Sequence, residues 1–322
     1  MQTIFIFGSN GQDGSILKEK ILNNLPQANL FLFSKNSIVQ IKDQILQKEI
    51  LISDNLEYLN LCSKLIDEYP PDFIYYFAAV HISSTEKEID INSEKMFFTN
   101  IGLVSYLLNK CSNSTHNIKF LFTSSSLIFS GSDTSPQSEN TIRQPKCNYS
   151  KQKVLIEELM HQLIKNQNIK TFVPIMYNHE SVKRKNKFFT KKIISFCSKT
   201  FHNISKQKQE KITIYNPNSI IDMGYAPEYV DMIYDLTLSD NNGTYIFGSG
   251  NPIKVKDFVD EVLKFYGLSK DLIIYKSMNP RFNVDLIGDN RKICNAIGRS
   301  PKIYGRALAK RLCEDYEIYI NN

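Results

Sequence analysis

TIFIFGSNGQDGSIL, from Thr3 to Leu17, is the stretch that decides the fold. Its first five residues, Thr3 to Phe7, are apolar or β-prone and long enough for a buried strand. Gly8, Gly11 and Gly14 follow at G-x-x-G-x-x-G spacing, and an apolar pattern of helical period begins with Ile16 and Leu17. Each glycine then has a physical task. Gly8 permits the tight turn off the strand, Gly11 lets the backbone approach a pyrophosphate, and Gly14 lets helix and strand pack closely. The free N–H groups of the helix start face the phosphates. A glycine triplet alone fits an ordinary turn. The strand before it and the helix after it make this one a dinucleotide-binding loop, with Gly8, Asn10, Gly11, Gln12, Asp13 and Gly14 as candidate cofactor contacts.

Working outward, a first helix covers about Ile16 to Leu25 and a second strand Leu30 to Phe33. NAD-preferring sites place an acid after that strand to hold the ribose 2′-hydroxyl, whereas a 2′-phosphate wants cations and hydroxyls. Ser34, Lys35, Asn36 and Ser37 stand there instead, so NADP is favoured over NAD, with Ser34 and Lys35 as its contacts. A third strand near Glu49 to Ser53 ends in Asp54, placed to meet the adenine edge or to cap a helix. A fourth, Asp72 to Ala79, ends in Ala78 and Ala79, small enough for close approach of a ligand. Asn100 starts a helix reaching about Lys110, and Ile118 to Phe122 is a strand ending in Thr123, Ser124, Ser125 and Ser126. A helix over about Lys151 to Ile164 and a strand over Thr171 to Met176 complete the pattern.

Strands alternating with helices over this length specify an α/β fold, a Rossmann-type doubly wound parallel sheet. Residues 1–178 form the NADP-binding domain, to which about 212–240 returns. Residues 179–322 form mainly a smaller C-terminal α/β substrate-binding lobe, with short strands at Thr244 to Phe247 and Leu272 to Tyr275 and a helix over Val255 to Tyr266. This lobe is expected to close over the strand ends of the first domain. By composition, Asn203 to Lys211 is expected to be a flexible loop.

Composition narrows the function classes. The 322 residues are 42% hydrophobic and 22% charged, which is the balance of a water-soluble globular chain. A net charge of +6 suits an anionic small molecule, and no nucleic-acid-binding signature accompanies it. The six cysteines are scattered without a C-x-x-C pair, which indicates free thiols rather than a disulfide framework or a metal site. With no leader pattern and no apolar run approaching about 18 residues, the expectation is a cytoplasmic protein without a membrane partner.

Tyr149 and Lys153 carry the chemistry. Four residues apart at the start of a helix, they lie on one face. There Lys153 can lower the Tyr149 pKa and hold a nicotinamide ribose, making the phenol an acid/base near neutrality. The serine cluster about 25 residues upstream would otherwise read as strand-end capping. Together with the Gly8 loop, the set Ser125, Tyr149 and Lys153, with Asn100 as a fourth member, resembles the extended short-chain dehydrogenases/reductases.

Further segments sharpen the resemblance. GSNGQDGS (Gly8 to Ser15) is similar to the GxTGQDGS of the GDP-mannose 4,6-dehydratase family. Pro136 to Glu139 matches its PQSE, and Pro145 to Tyr149 is similar to its PRSPY. Tyr177 to Ser181 with Lys183 and Arg184 resembles FNHESPRR, and Phe188 to Ile193 resembles NFVTRKI. Asp222 to Val230 follows DWGHAKDYV, while Val284 to Asp289 and Ile297 to Pro301 track VDLLIGD and LGWKP. The match runs in order from residue 3 to about 302. It implies an NADP-dependent enzyme on a nucleotide-linked sugar, GDP-linked by preference, assembled as a homodimer or homotetramer. It also implies a cofactor contact at His179 and substrate contacts at Ser126, Asn178, Glu180, Lys187, Lys191, Tyr225 and Arg281. The basic run Lys183 to Lys192 reads equally as a solvated face.

Two departures matter. In the family the tyrosine removes the sugar 4-hydroxyl proton as hydride leaves C4, and a glutamate in S-T-S-E-L-Y-G takes the C5 proton so that the C6 hydroxyl departs as water. Here that stretch is Ser124 to Ser130, with Leu127 at the glutamate. Leucine accepts no proton, and general acid–base help is worth about 10²–10⁴-fold. The redox half of the reaction survives, so 4-keto reduction or redox epimerisation of a GDP-hexose or GDP-heptose leads over 4,6-dehydration. For dehydration, Glu86 is the candidate substitute base. The family's substrate arginine in RDWGHA is Ile221 here, which leaves the sugar open. A reading of a different class is a non-catalytic subunit that binds cofactor or nucleotide sugar. The intact Ser125, Tyr149 and Lys153 argue against it.

Overall fold

The computed structural model describes residues 1–81, 92–166, 168–203, 210–278 and 285–321. In chain order the first elements are β1 (Thr3–Phe7), α1 (Gln12–Asn24), β2 (Asn29–Phe33), β3 (Ser37–Lys42), β4 (Ile45–Leu51), α2 (Asn55–Glu68) and β5 (Phe73–Tyr76). Next come α3 (Ser93–Phe97), a π turn (Phe98–Gly102), α4 (Leu103–Ser112), β6 (Ile118–Phe122), β7 (Ser124–Ser125), α5 (Asn148–Gln162) and β8 (Ile169–Met176). The remainder is β9 (Asn178–Glu180), α6 (Phe189–His202), β10 (Ile212–Tyr215), β11 (Ile220–Ile221), β12 (Met223–Tyr225) and α7 (Ala226–Leu238), then β13 (Gly243–Phe247), β14 (Ile253–Lys254), α8 (Val255–Tyr266), β15 (Ile273–Lys276), α9 (Arg291–Ile297) and α10 (Gly305–Asn321).

Two compact units result. Unit 1 comprises Met1–Ile128, Pro145–Ile175 and Val230–Tyr245; unit 2 comprises Phe129–Gln144, Met176–Tyr229 and Ile246–Asn322.

Unit 1 is built on a sheet of order β13-β8-β6-β5-β1-β2-β3-β4. Its centre is parallel from β2 through β1, β5 and β6 to β8. These strands are continuous apolar runs because helices cover both faces. One face interdigitates Phe5, Phe7, Phe31, Phe33, Tyr76 and Phe122 beneath α2, α4 and α5, with the Phe7 and Phe33 rings stacked at 4.0 Å. On α5, Tyr149, Lys153, Ile156 and Met160 recur at the spacing of one helical face, and all four are buried. Lys20 of α1 meets Asp231 at 2.7 Å, and the Tyr75 hydroxyl meets Thr237 at 2.7 Å.

Three local expectations are corrected. The third strand is not a further parallel strand: β4 runs antiparallel to β3, which runs antiparallel to β2, as an edge hairpin. Its two-residue turn, Asp43-Gln44, has positive φ at both positions (51° and 62°) and carries neither Gly nor Asn. The helix expected from Asn100 begins at Ser93, where the Asn92 side chain accepts the Lys95 N–H at 2.7 Å, and continues through the π turn. Thr244 to Phe247, expected in the small lobe, lies within β13 at the edge of the large sheet beside β8, with Thr244 and Tyr245 in unit 1 and Ile246 and Phe247 in unit 2.

Unit 2 packs α6, α8 and α10 around Ile193, Cys197, Phe258, Val262, Leu308 and Leu312. Its short pairings are β10 parallel to β15, β11 antiparallel to β14 and β12 parallel to β9. Most of the loop between Asn203 and Lys211 lies outside the described residues. Among the described residues, no helix is long and apolar enough to cross a membrane.

Candidate active site

The loop after β1 is shaped by what cannot stand in it. Gly8 has φ +81°, and a Cβ there would lie 2.7 Å from the Ala78 backbone nitrogen. A Cβ on Gly14 would lie 2.4 Å from the Gly8 carbonyl oxygen. The start of α1 is thereby drawn against the β1 turn, and the Gly8 and Ser9 N–H groups both donate to the Phe33 carbonyl (2.9 and 3.2 Å). Gly11 is the N-cap of α1, with extended backbone and no side chain capping the first turn. Asn10 and Gly11 are exposed, and Gln12 and Asp13 half-buried. A helix start without a side-chain cap, reached over a strip lacking Cβ atoms, fits a dinucleotide diphosphate.

Of the other cofactor candidates, Ser34 accepts the Ser37 N–H at 3.1 Å and donates to the Ser37 carbonyl at 3.0 Å, closing the turn that leaves Lys35 exposed. Asp54 acts as a cap: it is the N-cap of α2 and accepts the Glu57 N–H at 2.8 Å.

The helix carrying Tyr149 and Lys153 starts where it does because Cys147 is extended (φ −125°, ψ 160°), with its N–H donating to the Ser150 hydroxyl at 3.2 Å. The first turns of α5 therefore point Tyr149 and Lys153 at the sheet. Lys153 is 1% exposed; its ammonium donates to the Thr123 carbonyl at 2.7 Å and lies 4.3 Å from the Phe122 ring and 5.6 Å from the Tyr149 ring. Burial pulls its pKa down to about 7, and the Glu157 charge acts in the opposite direction. Asn100 is held by three bonds: it accepts the Val80 N–H (2.9 Å) and donates to the Val80 carbonyl (3.1 Å) and to Gln152 (2.8 Å) on α5. Asn100 lies in the π turn and is buried. Ser125 is half-buried and accepts the Leu127 N–H at 3.3 Å; Ser126 is buried.

Sequence reasoning missed three neighbours. His81 stands edge-on to Tyr149 at 4.8 Å, Gln152 anchors Asn100, and Glu157 accepts a short hydrogen bond from Ser124. The i,i+4 spacing of Lys153 and Glu157 was the one available signal. Glu86 and Arg281 lie outside the described residues.

In unit 2, β9 and β12 pair Asn178 with Met223, His179 with Gly224 and Glu180 with Tyr225. His179 donates through Nδ1 to the Tyr177 carbonyl at 2.8 Å, since a carbonyl can only accept, and stacks on Tyr229. Glu180 is buried, accepting from the Thr190 hydroxyl at 2.5 Å with Arg184 at 3.5 Å. The Lys191 ammonium donates to the Val182 carbonyl at 2.7 Å between the rings of Tyr316 and Tyr319, and burial holds its pKa below the usual lysine range. Tyr225 donates to Asp315 at 2.6 Å. Asn178 and Lys187 are exposed. Two buried hubs brace the remainder. Asp222 accepts from the N–H groups of Ser249 (2.8 Å), Gly250 (3.2 Å) and Gly288 (2.9 Å) and from the Ser249 hydroxyl (2.5 Å). Gln137 accepts from Tyr177 (2.8 Å) and the Ile287 N–H (3.0 Å).

The family model described as GDP-mannose 4,6 dehydratase matches residues 5–311. The chain belongs to the GDP-mannose 4,6-dehydratase family. The similarity reaches GDP-mannose 4,6 dehydratase 2 of Arabidopsis thaliana at 24% identity, over 97% of this chain and 86% of that one. Among solved structures, dTDP-glucose 4,6-dehydratase of Bacillus anthracis, in complex with NAD, superposes with a TM-score of 0.78 at 15% identity, covering 100% of this chain and 98% of that one. RMD of Pseudomonas aeruginosa, complexed with NADPH, gives 0.76 at 17% identity over 99% and 100%. Family membership makes this chain an enzyme of the short-chain dehydrogenase/reductase superfamily, dependent on a nicotinamide dinucleotide. In this chain the GSNGQDGS loop and the Tyr149–Lys153 helix both fall in unit 1.

Proposed function

We propose that this enzyme exchanges hydride at C4 of a nucleotide-linked sugar, GDP-linked in preference to others, using NADP(H), and that its net reaction is 4-keto reduction rather than 4,6-dehydration. The observation that carries the reading is the buried Lys153, held on the Thr123 carbonyl one helical turn from Tyr149. When bound, the nicotinamide supplies or accepts the hydride. Tyr149 transfers the proton at the sugar O4, Lys153 stabilises the phenolate with its charge, Ser125 hydrogen-bonds O4, and Asn100 fixes α5 through Gln152. Lys35, in a turn without a carboxylate, supports NADP over NAD. Leu127 supports reduction, because an elimination needs a base at C5 and leucine offers none. A cytoplasmic location is part of the same reading.

Incubation with GDP-mannose and catalytic NADP tests it. Accumulation of a 4-keto-6-deoxy product would reverse the preference for reduction. Stoichiometric NADPH consumption with a GDP-4-keto sugar is the expected result, and no turnover with either substrate would remove the catalytic reading.

A further inference from the structure

Glu157 is 8% exposed and sits on α5 one helical turn beyond Lys153. A carboxylate in such a place requires hydrogen bonds, and Ser124, the first residue of β7, donates one. The preceding residue, Thr123, gives its carbonyl to the Lys153 ammonium. Two adjacent residues just beyond β6 are thus gripped by an acid and a base four positions apart on one helix.

We propose that Glu157 is a positioning residue for the proton-transfer site, binding the serine-rich strand end to α5 and holding a negative charge behind Lys153 so that the lysine stays an ammonium. This rests on the hydride-transfer reading above. The groups facing Lys153 are Tyr149 and Glu157 from its own helix, and the Thr123 carbonyl and Phe122 ring from β6. His81 meets the Tyr149 ring edge-on, and Asn100 with Gln152 is uncharged. Burial alone drives the ammonium toward neutrality, and Glu157 opposes that drift. A neutral Lys153 would leave the Tyr149 phenolate without its counter-charge.

The test reads Lys153 directly and needs no turnover. In protein carrying ¹³C at lysine Cε, the Lys153 signal is identified by its loss in Lys153→Met and followed against pH. In Glu157→Gln the titration midpoint is expected to fall by about one pH unit or more, and Glu157→Asp, which keeps the charge, is expected to restore most of it. An unchanged midpoint in a Glu157→Gln protein that still melts cooperatively overturns the proposal. So does a wild-type midpoint well below neutral, which is readable even if the variant does not fold. Should the wild type turn over no GDP-sugar, the functional reading fails while this titration still stands. Where turnover is measurable, the limb of the pH–rate profile set by Lys153 deprotonation moves to lower pH in Glu157→Gln, whereas loss of packing alone would lower the rate and leave that limb in place.

Discussion

An ammonium as buried as that of Lys153 is a standing electrostatic cost in the cofactor-free protein, and the cost has a pH signature. Its folded pKa, about 7, lies below the ordinary lysine value near 10.4. Between those limits the unfolded chain binds more protons than the folded one, so stability rises with pH across that window. Below about pH 7 both states are protonated and the full cost applies. Lys153→Met should therefore remove this dependence: relative to wild type, the variant of the cofactor-free protein should be roughly 2–4 kcal/mol better off near pH 6.5 than near pH 10. Urea titrations at the two pH values measure it, and a pH-independent difference would contradict the burial argument. The same substitution should abolish turnover. Tyr149→Phe keeps the ring between Lys153 and His81 but removes the transferable proton, so kcat should fall by about 10²–10⁴-fold with NADPH binding unchanged. A loss under about tenfold would take Tyr149 out of the role. At this scale the sequence revealed the groups defined by spacing, such as Tyr149 with Lys153. It hid Gln152, His81 and Glu157, whose roles arise from contacts with Asn100, Tyr149 and Ser124 that exist only once the strand ends meet α5.

The elements divide the same way. Where local chemistry dictates geometry, the reading was direct: β1, the glycine turn and α1 follow from apolar run, missing Cβ atoms and helical period. Gly14→Ala places a methyl 2.4 Å from the Gly8 carbonyl oxygen, a backbone atom that cannot rotate away. It should lower stability by at least about 2 kcal/mol and weaken NADPH binding more than tenfold, which thermal unfolding and fluorescence titration would show. Asp54 gives the opposite contrast. Its carboxylate caps α2, so Asp54→Ala should cost about 1 kcal/mol, whereas Asp54→Asn, an equally good cap, should cost little. Unchanged NADPH affinity in both would confine Asp54 to capping, and a drop in Asp54→Asn would restore the adenine contact. The β3–β4 hairpin escaped the sequence because Asp43-Gln44 lacks the glycine or asparagine that ordinarily marks two positive φ angles. The π turn escaped because a one-residue insertion in a helix leaves the surrounding apolar pattern almost intact.

Over the whole molecule, the two units use buried polar groups differently. In unit 1 Thr123, Ser124, Lys153 and Glu157 gather at one helix face and one strand end, the arrangement proposed for proton transfer. In unit 2 such groups work as braces. Asp222 alone satisfies three backbone N–H groups from two separate segments, so Asp222→Ala leaves them unpaired and should cost at least about 3 kcal/mol, seen as a large drop in the melting temperature. Several substrate candidates of unit 2 are engaged in the same way: Lys191 on Val182 between two tyrosines, Tyr225 on Asp315, Glu180 on Thr190. The family resemblance suggested them as ligand contacts, and a sequence does not show which groups within the chain such side chains also meet. The net reaction, by contrast, turns on a position in unit 1. Leu127 is half-buried, and its N–H is bound to Ser125. A carboxylate placed there would follow the serine hydroxyl by two residues, and the backbone bond that orients the segment would be retained. With GDP-mannose and catalytic NADP, wild-type protein should form no 4-keto-6-deoxy product. Leu127→Glu should form it measurably, because the redox groups are already in place and only a C5 base is added. Product formation by the wild type would show that another acid performs the elimination. Silence from a folded, NADPH-binding Leu127→Glu would show that more than one residue separates this chain from the dehydratases of its family.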